Sequence, residues 1–465
     1  MDIETLRSEL VQHNQEHLLQ FWDRLSEQQK NSLYHELKSQ NYEEINQYFK
    51  TAMKFASEKL EDIMEPLPSD VCGGVAQCDK QTMEHYHKSG LEAIGNNNVG
   101  LLLLAGGQGT RLGVDYPKGM YDVNLPSGKT LYQIQAERIL RLQHLGQLQN
   151  GKPCVVPWYV MTSEHTKDKT FHFFEKNDYF GLKKENIVVF EQGLLPCIDF
   201  DGKIILEKPH KLALAPGRYI HKTAQCSLLC VVDKSPTDAF GTTCKVAGKF
   251  QVVEYSRLPV TLKIAEKRNK DGLLTFNAGG ICNYFFTLEF LQHVSDPKQE
   301  RQLQYHIAIK KIPYVDNDGN MIKPSKPNGV KMEKFVFDVF PFATNFAVWE
   351  VFREDEFSPL KNADGADKDT PTTCRSALCS FHQRLILGAG GKFVQKDGFP
   401  FPEISSQHSG DEHEDIICEI SPLASYSGEG LEEHIQGRSL MPPVLINGDH
   451  QGRVLITQKA TINGS

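Results

Sequence analysis

The stretch LLLLAGGQGTRLGVDYPKGMY, residues 101–121, limits the fold more than any other part of the chain. Four leucines in a row read as a short strand buried in a parallel sheet. Gly106, Gly107, Gly109 and Gly113 follow at once, with Arg111 and Lys118 close behind. Glycines let the backbone turn sharply and bring N–H groups up to a phosphate. The stretch is not a Walker A loop, because no Lys-Ser/Thr pair follows its last glycine. Nor is it a dinucleotide fingerprint: the GxGxxG frame opened at Gly107 meets Leu112 where its third glycine belongs. That argues against a nicotinamide-dependent Rossmann enzyme. A plain glycine-rich turn between strand and helix is the other reading. Four glycines with two cations favour an anion cradle over it.

Around this loop the chain alternates between strand and helix patterns. TLYQIQAERILRLQHLG (130–146) is an amphipathic helix with Leu131, Ile134, Ile139 and Leu142 near one face. CVVPWYVMTS (154–163) and NIVVFEQG (186–193) read as the next strands, and KFQVVEYS (249–256) and LLTFNAGGICNYFF (273–286) extend the series. This spacing predicts an α/β fold with a doubly wound mixed sheet. Residues 1–65 lack Gly and Pro and carry Leu6, Leu10, Leu18, Phe21, Trp22 and Leu25 at helical spacing. Ser26 to Gln29 is a capping-box start for a second helix there. PLPSDVCGGVAQCD (66–79) reads as a linker. Three regions are expected: an N-terminal helical region with its linker over 1–95, a catalytic domain over 96–365, and a small β-rich C-terminal domain over 366–465.

Charge and cysteine usage restrict the partners. The net charge of -8 argues against nucleic-acid binding, which needs a basic footprint. An anionic ligand must then be held by a few placed cations and backbone N–H groups. The 11 cysteines show no regular spacing and no CxxC pair, which fits free thiols in the cytoplasm. HSGDEHEDIIC (408–418) lacks the spacing of a zinc site. MDIETLRSEL is too polar for a signal peptide, and no run of apolar residues is long enough to span a membrane.

LAGGQGTRLG with YPKG resembles the signature of sugar-nucleotide pyrophosphorylases. PWYVMTSE, VVFEQGLLP, QVVEYS, KPNGVKMEKFVFDVF, REDEFSPLKNA and CEISPLASYSGEGLE extend the resemblance, in order, over nearly the whole chain. It is greatest to the eukaryotic UDP-N-acetylhexosamine (UDP-GlcNAc) pyrophosphorylases, and among them to the vertebrate pyrophosphorylase-like branch. The resemblance implies a nucleotidyltransferase fold and a uridylyltransferase reaction: UTP and an N-acetylhexosamine 1-phosphate give the UDP-sugar and diphosphate. The sugar phosphate attacks the α-phosphorus in line, so no protein nucleophile is needed. Catalysis is positioning plus neutralisation of crowded negative charge. Mg²⁺ is the implied cofactor, and a homodimer is compatible with the family.

The same resemblance implies the site residues. Leu104, Ala105, Gly106 and Gly107 open the nucleotide loop. Arg111, Lys118 and Lys331 are the catalytic cations, and Lys118 and Lys331 also bind UTP. Gln192 reads the uracil edge. Glu254, Tyr255, Asn277 and Lys361 hold the sugar phosphate. No residue of this chain is assigned as a metal ligand. Without the resemblance, Lys118 and Lys361 would read as solvated loop lysines. For Lys331 a separate argument exists: NGVKMEKFVFDVF places Met332, Phe335, Val336, Val339 and Phe340 at helical spacing, with Asn328 as N-cap. A lysine in a first turn opposes the helix dipole by roughly 0.3–1 kcal/mol, which an anion bound there would offset. A solvated helix lysine is an equal reading on sequence alone.

Two departures from the family stand out. Gly280, in FNAGG, occupies a position where relatives carry a sugar-holding Asn. The second is LAPGRYIHKTAQCSLLCVVDKS, residues 214–235. There the family's loop, helix, strand and metal-binding aspartate are absent near 217–224, a loss of roughly 30 or more residues. Asp233 matches a glutamate beyond the gap and does not replace that aspartate. A strand removed from the sheet interior leaves either a gap or a changed register, and exposed apolar edges are an aggregation hazard. The alternative function is therefore a catalytically impaired or inactive form of the family, at most a binding protein.

Overall fold

The computed structural model describes residues 2–58, 60, 62–218, 227–233, 241–254, 267–270, 272, 274–401, 416–449 and 452–458. The chain divides into two compact units, each built from two separated segments: 1–74 with 192–350, and 75–191 with 351–465.

In the first unit, helices Ile3–Gln12, Glu27–Lys38 and Tyr42–Ser57 bury Leu6, Leu10, Leu33, Leu37 and Ile45. The same core takes in Ile198, Leu212, Val330 and Met332 from far along the chain. Ser26 forms the expected capping box: its hydroxyl accepts from Gln29 N, and Gln29 Oε1 accepts from Ser26 N. Gln15 bonds Gly202 O and Ile204 N, and His17 bonds Ile204 O at 2.7 Å. Lys334 is buried under this layer, its ammonium 4.3 Å from the Tyr305 ring centroid.

A mixed sheet of seven strands also belongs to this unit. Its order is Met64–Glu65, Thr242–Val246, Ala278–Phe286, Ser227–Asp233, Phe346–Glu350, Cys72–Gly74, with Lys249–Val253 added beside Thr242–Val246. Ser227–Asp233 runs antiparallel to Ala278–Phe286 and parallel to Phe346–Glu350. So residues 227–233, directly after the sequence junction, are a central strand. Before the junction, Leu214–Arg218 pairs antiparallel with Gly193–Pro196. Residues 219–226, the middle of the junction, lie outside the described residues. The linker expectation for 66–79 needs correction, because Cys72–Gly74 is an edge strand. Gly73 makes this possible: a Cβ there would come within 3.2 Å of the Trp349 ring.

The second unit contains a parallel three-stranded sheet, Leu101–Leu104, Trp158–Thr162 and Ile187–Glu191. Helix Leu131–Asn150, capped by Thr130, packs Tyr132, Ala136 and Ile139 onto Trp158 and Val160. Among the described residues Leu101–Leu104 pairs on one side only. Leu102, Leu104, Tyr159 and Val188 are each about 40% exposed on the face away from that helix. The leucine run is thus an open edge where burial on both sides was expected. Helix Pro371–Gly388 and strands Cys418–Ile420, Val444–Gly448 and Val454–Gln458 complete the unit. A buried ion pair, Lys129 to Glu137 at 2.7 Å, ties these strands to the sheet helix through Ser421. No helix among the described residues is long and apolar enough to cross a membrane.

Candidate functional site

The glycine loop leaves the strand with Ala105 N donating to Met161 O and Ser163 Oγ donating to Gly106 O. It then folds back on itself. Gly109 N donates to Tyr116 O, and Val114 N donates to Gly109 O. A Cβ on Gly109 would lie 2.3 Å from the Val114 side chain, so the fold itself requires glycine there. Gly107 differs, since a Cβ would meet nothing within 4 Å. Packing does not explain that glycine, but the close approach of a ligand to the backbone would.

Three expected cations converge beside the loop. The Lys118 side chain donates to Leu360 O. Lys361 follows directly and faces Asp369 at 3.6 Å. Ala363 N donates to Arg111 O, which brings the Arg111 backbone to the same turn. Burial pushes the Lys118 pKa below the ordinary lysine range, and the charges of Lys361 and Arg111 push it further down. Like charges held together this way favour an anion among them. Leu104, Ala105, Gly106, Gly107, Arg111, Lys118 and Lys361 all belong to the second unit.

Gln192, Glu254, Asn277 and Lys331 belong to the first unit. Gln192 is buried directly after strand Ile187–Glu191. Asn277 is half-buried just before strand Ala278–Phe286. Gly280 lies in that strand, where the pairing register shifts and Cys282 takes a φ of 63°. Tyr255 lies outside the described residues.

The helix expected over NGVKMEKFVFDVF is not formed. Gly329–Glu333 is a strand, paired antiparallel with His306–Lys310. Val330 and Met332 enter the core on one face, while Lys331 and Glu333 are half-buried on the other. The period is two, and the tertiary demand for a strand overrides the helical spacing. Asn328 is no N-cap: its side chain accepts from Ile312 N and donates to Ile312 O. The helix-dipole argument for Lys331 falls with the helix. Lys331 instead projects from a strand face beside Glu333, whose pKa burial raises and Lys310, Lys331 and His306 draw back down.

A cavity of about 200 Å³ opens in this unit, lined by Glu254, Lys249, Gln251, His306, Phe337 and Asp338 among others. His306 Nε2 lies 2.7 Å from Asp338 Oδ1, and Asp338 Oδ2 accepts from Phe335 N at 2.6 Å. Sequence reasoning missed this pair. The signal was a lone carboxylate inside FVFDVF, where a buried acid among aromatics needs a partner. No group of three His, Cys, Asp or Glu side chains among the described residues is placed to hold a metal.

The family described as UTP–glucose-1-phosphate uridylyltransferase matches residues 42–217 and 216–386. The two matches meet at the junction singled out in the sequence. A UDP-N-acetylhexosamine pyrophosphorylase-like protein of Xenopus tropicalis is 45% identical, covering 96% of this chain and 97% of that one. A UDP-N-acetylglucosamine diphosphorylase of Arabidopsis thaliana is 32% identical over 96% of this chain and 94% of its own length. The Xenopus alignment spans 499 positions but only 96% of the 465 residues here, so about 50 positions have no counterpart in this chain. Among solved structures, the UDP-N-acetylglucosamine pyrophosphorylase of Trypanosoma brucei superposes with a TM-score of 0.74 at 27% identity, covering 93% of this chain and 95% of that one. An Entamoeba histolytica structure gives 0.68 at 30% identity over 83% of this chain and all of its own. With the family signature on a strand-to-loop turn and relatives matched along almost their whole length, the chain belongs to the UTP–glucose-1-phosphate uridylyltransferase family.

Proposed function

We propose that this chain is a uridylyltransferase that joins UTP and an N-acetylhexosamine 1-phosphate into UDP-N-acetylhexosamine with release of diphosphate, in the synthesis of UDP-GlcNAc. The observation that carries the reading is the convergence of Lys118, Lys361 and Arg111 on the glycine loop. A triphosphate offsets their mutual repulsion. The open space at Gly107 admits a phosphate to the backbone N–H groups. The chain's part in the reaction is then to bind and orient. The sugar phosphate oxygen attacks the α-phosphorus as diphosphate departs, and the cations stabilise charge on the non-bridging oxygens. In this proposal Gln192 faces the uracil, Lys331 the nucleotide phosphates, and Glu254, Tyr255, Asn277 and Lys361 the sugar phosphate.

Mg²⁺ forms part of the proposal as a companion of the triphosphate. Its usual coordination by one or two carboxylates plus substrate phosphates needs no protein cage. The described residues offer no such cage. A cytoplasmic homodimer without nucleic-acid or membrane partners completes the reading. It is supported by nine described cysteines that are all free thiols.

A second reading keeps the fold and the nucleotide but not the turnover. The observations behind it are the roughly 50 aligned positions with no counterpart in this chain and the break of the family match at residues 216 and 217. Family membership along nearly the whole chain speaks for the first reading. The deciding assay is diphosphate release from UTP plus N-acetylglucosamine 1-phosphate with Mg²⁺, alongside a thermal shift with UTP alone. Release that needs both substrates supports the first reading. A UTP-induced shift without release selects the second, and neither signal overturns both.

A further inference from the structure

Resting on that reading of the substrate, we propose that Asp338 and His306 form a sugar-specificity pair: His306 hydrogen-bonds a donor group on the sugar, and Asp338 is its positioning residue. The pair sits in the wall of the cavity that also contains Glu254. Asp338 is fixed at both oxygens, one on His306 Nε2 and the other on Phe335 N. The His306 ring is fixed as well, packed against Phe335 at 4.8 Å and edge-on to Phe55 at 5.8 Å between centroids. Side chains held this way have already lost their rotamer freedom, so a ligand bond to them costs little further order.

The chemistry of the imidazole selects the ligand group. In the tautomer that donates Nε2–H to the carboxylate, Nδ1 is the acceptor nitrogen. No hydrogen bond to Nδ1 is formed among the described residues. An acceptor in a small cavity suits a hydroxyl or amide N–H, and a hexosamine carries both. Strand register places the pair next to the expected phosphate contact. His306 lies opposite Glu333, and Lys331 projects from the same strand face two residues away. Neighbouring side chains on one sheet face stand about 5–8 Å apart. A sugar 1-phosphate has the reach to meet both. The rest of the wall mixes aromatic rings such as Phe337 with amides such as Gln251, which suits a ring with one apolar and one polar side.

The test compares UDP with UDP-N-acetylglucosamine by calorimetry on the full chain and on His306→Ala, His306→Gln and Asp338→Asn. The difference between the two ligands isolates the sugar. His306→Ala is expected to weaken UDP-N-acetylglucosamine about tenfold while leaving UDP within about twofold. Asp338→Asn is expected to act in the same direction but less, and His306→Gln to recover part of the loss. Unchanged UDP affinity doubles as the check that each variant is folded. A wild-type chain that prefers the UDP-sugar, with variants that keep the same preference, overturns the pair's role. A wild-type chain with no preference for the UDP-sugar overturns the sugar reading beneath it, and this inference with it.

Discussion

Lys118 is held beside Lys361 and Arg111 with its pKa below the ordinary lysine range, burial being the larger cause and the two charges the smaller. The sign of its response to a nucleotide follows. At alkaline pH part of the free chain carries Lys118 neutral, whereas a bound triphosphate favours the ammonium. UTP binding should therefore take up protons there, measured by calorimetry in buffers of different ionisation enthalpy. Lys118→Met should abolish the uptake and weaken UTP about tenfold. Proton release on binding would contradict the placement of the phosphates. His382 shows burial acting without a ligand. It is buried in helix Pro371–Gly388, and its pKa falls from 6.5 to about 4. Between those values the unfolded chain binds more protons than the folded one, so stability falls as pH drops through that window. His382→Gln should flatten the fall in melting temperature between pH 6.5 and 4.

The elements show where pattern alone was enough. The amphipathic helix beginning at Thr130 and the strands after it formed where their periodicity put them. Each has one apolar face and one partner to bury it against. The run after Asn328 misled because its apolar residues satisfy two periods at once. The sheet partner His306–Lys310 lies some twenty residues away and decided between them. The leucine strand misled in the other direction. A run of four leucines implies burial on both sides, and among the described residues one edge and much of one face stay open. An open apolar edge is a template for further pairing. The chain is expected to self-associate as concentration rises, seen by light scattering. Leu102→Lys should reduce that association without lowering the melting temperature by more than about 1 kcal/mol equivalent. Concentration-independent scattering in the wild type would show that the edge is harmless.

At the scale of the whole molecule, the missing positions matter more than any single substitution. Residues 214–218 and 227–233 are both strands, yet they belong to different sheets. The relatives carry about 50 positions that this chain does not, and the family match breaks at residues 216 and 217. Inserting the corresponding Xenopus segment there should raise diphosphate-forming turnover and suppress self-association together. If turnover is the same with and without the segment, the reading of impairment fails.

The glycine loop, the α/β class, the family and the place of the junction were all determined by the sequence alone. Each rests on residue types at fixed short spacings, where local backbone chemistry is decisive. Three features were left to the tertiary structure. One is the strand at Lys331, which needs a partner strand to exist. Another is the Asp338–His306 pair, whose members are 32 residues apart and meet because strand His306–Lys310 pairs with Gly329–Glu333 shortly before Asp338. The last is the division into two units, each assembled from two distant segments. Burial and hydrogen-bond pairing join residues without regard to their separation along the chain, and periodicity carries no information about that.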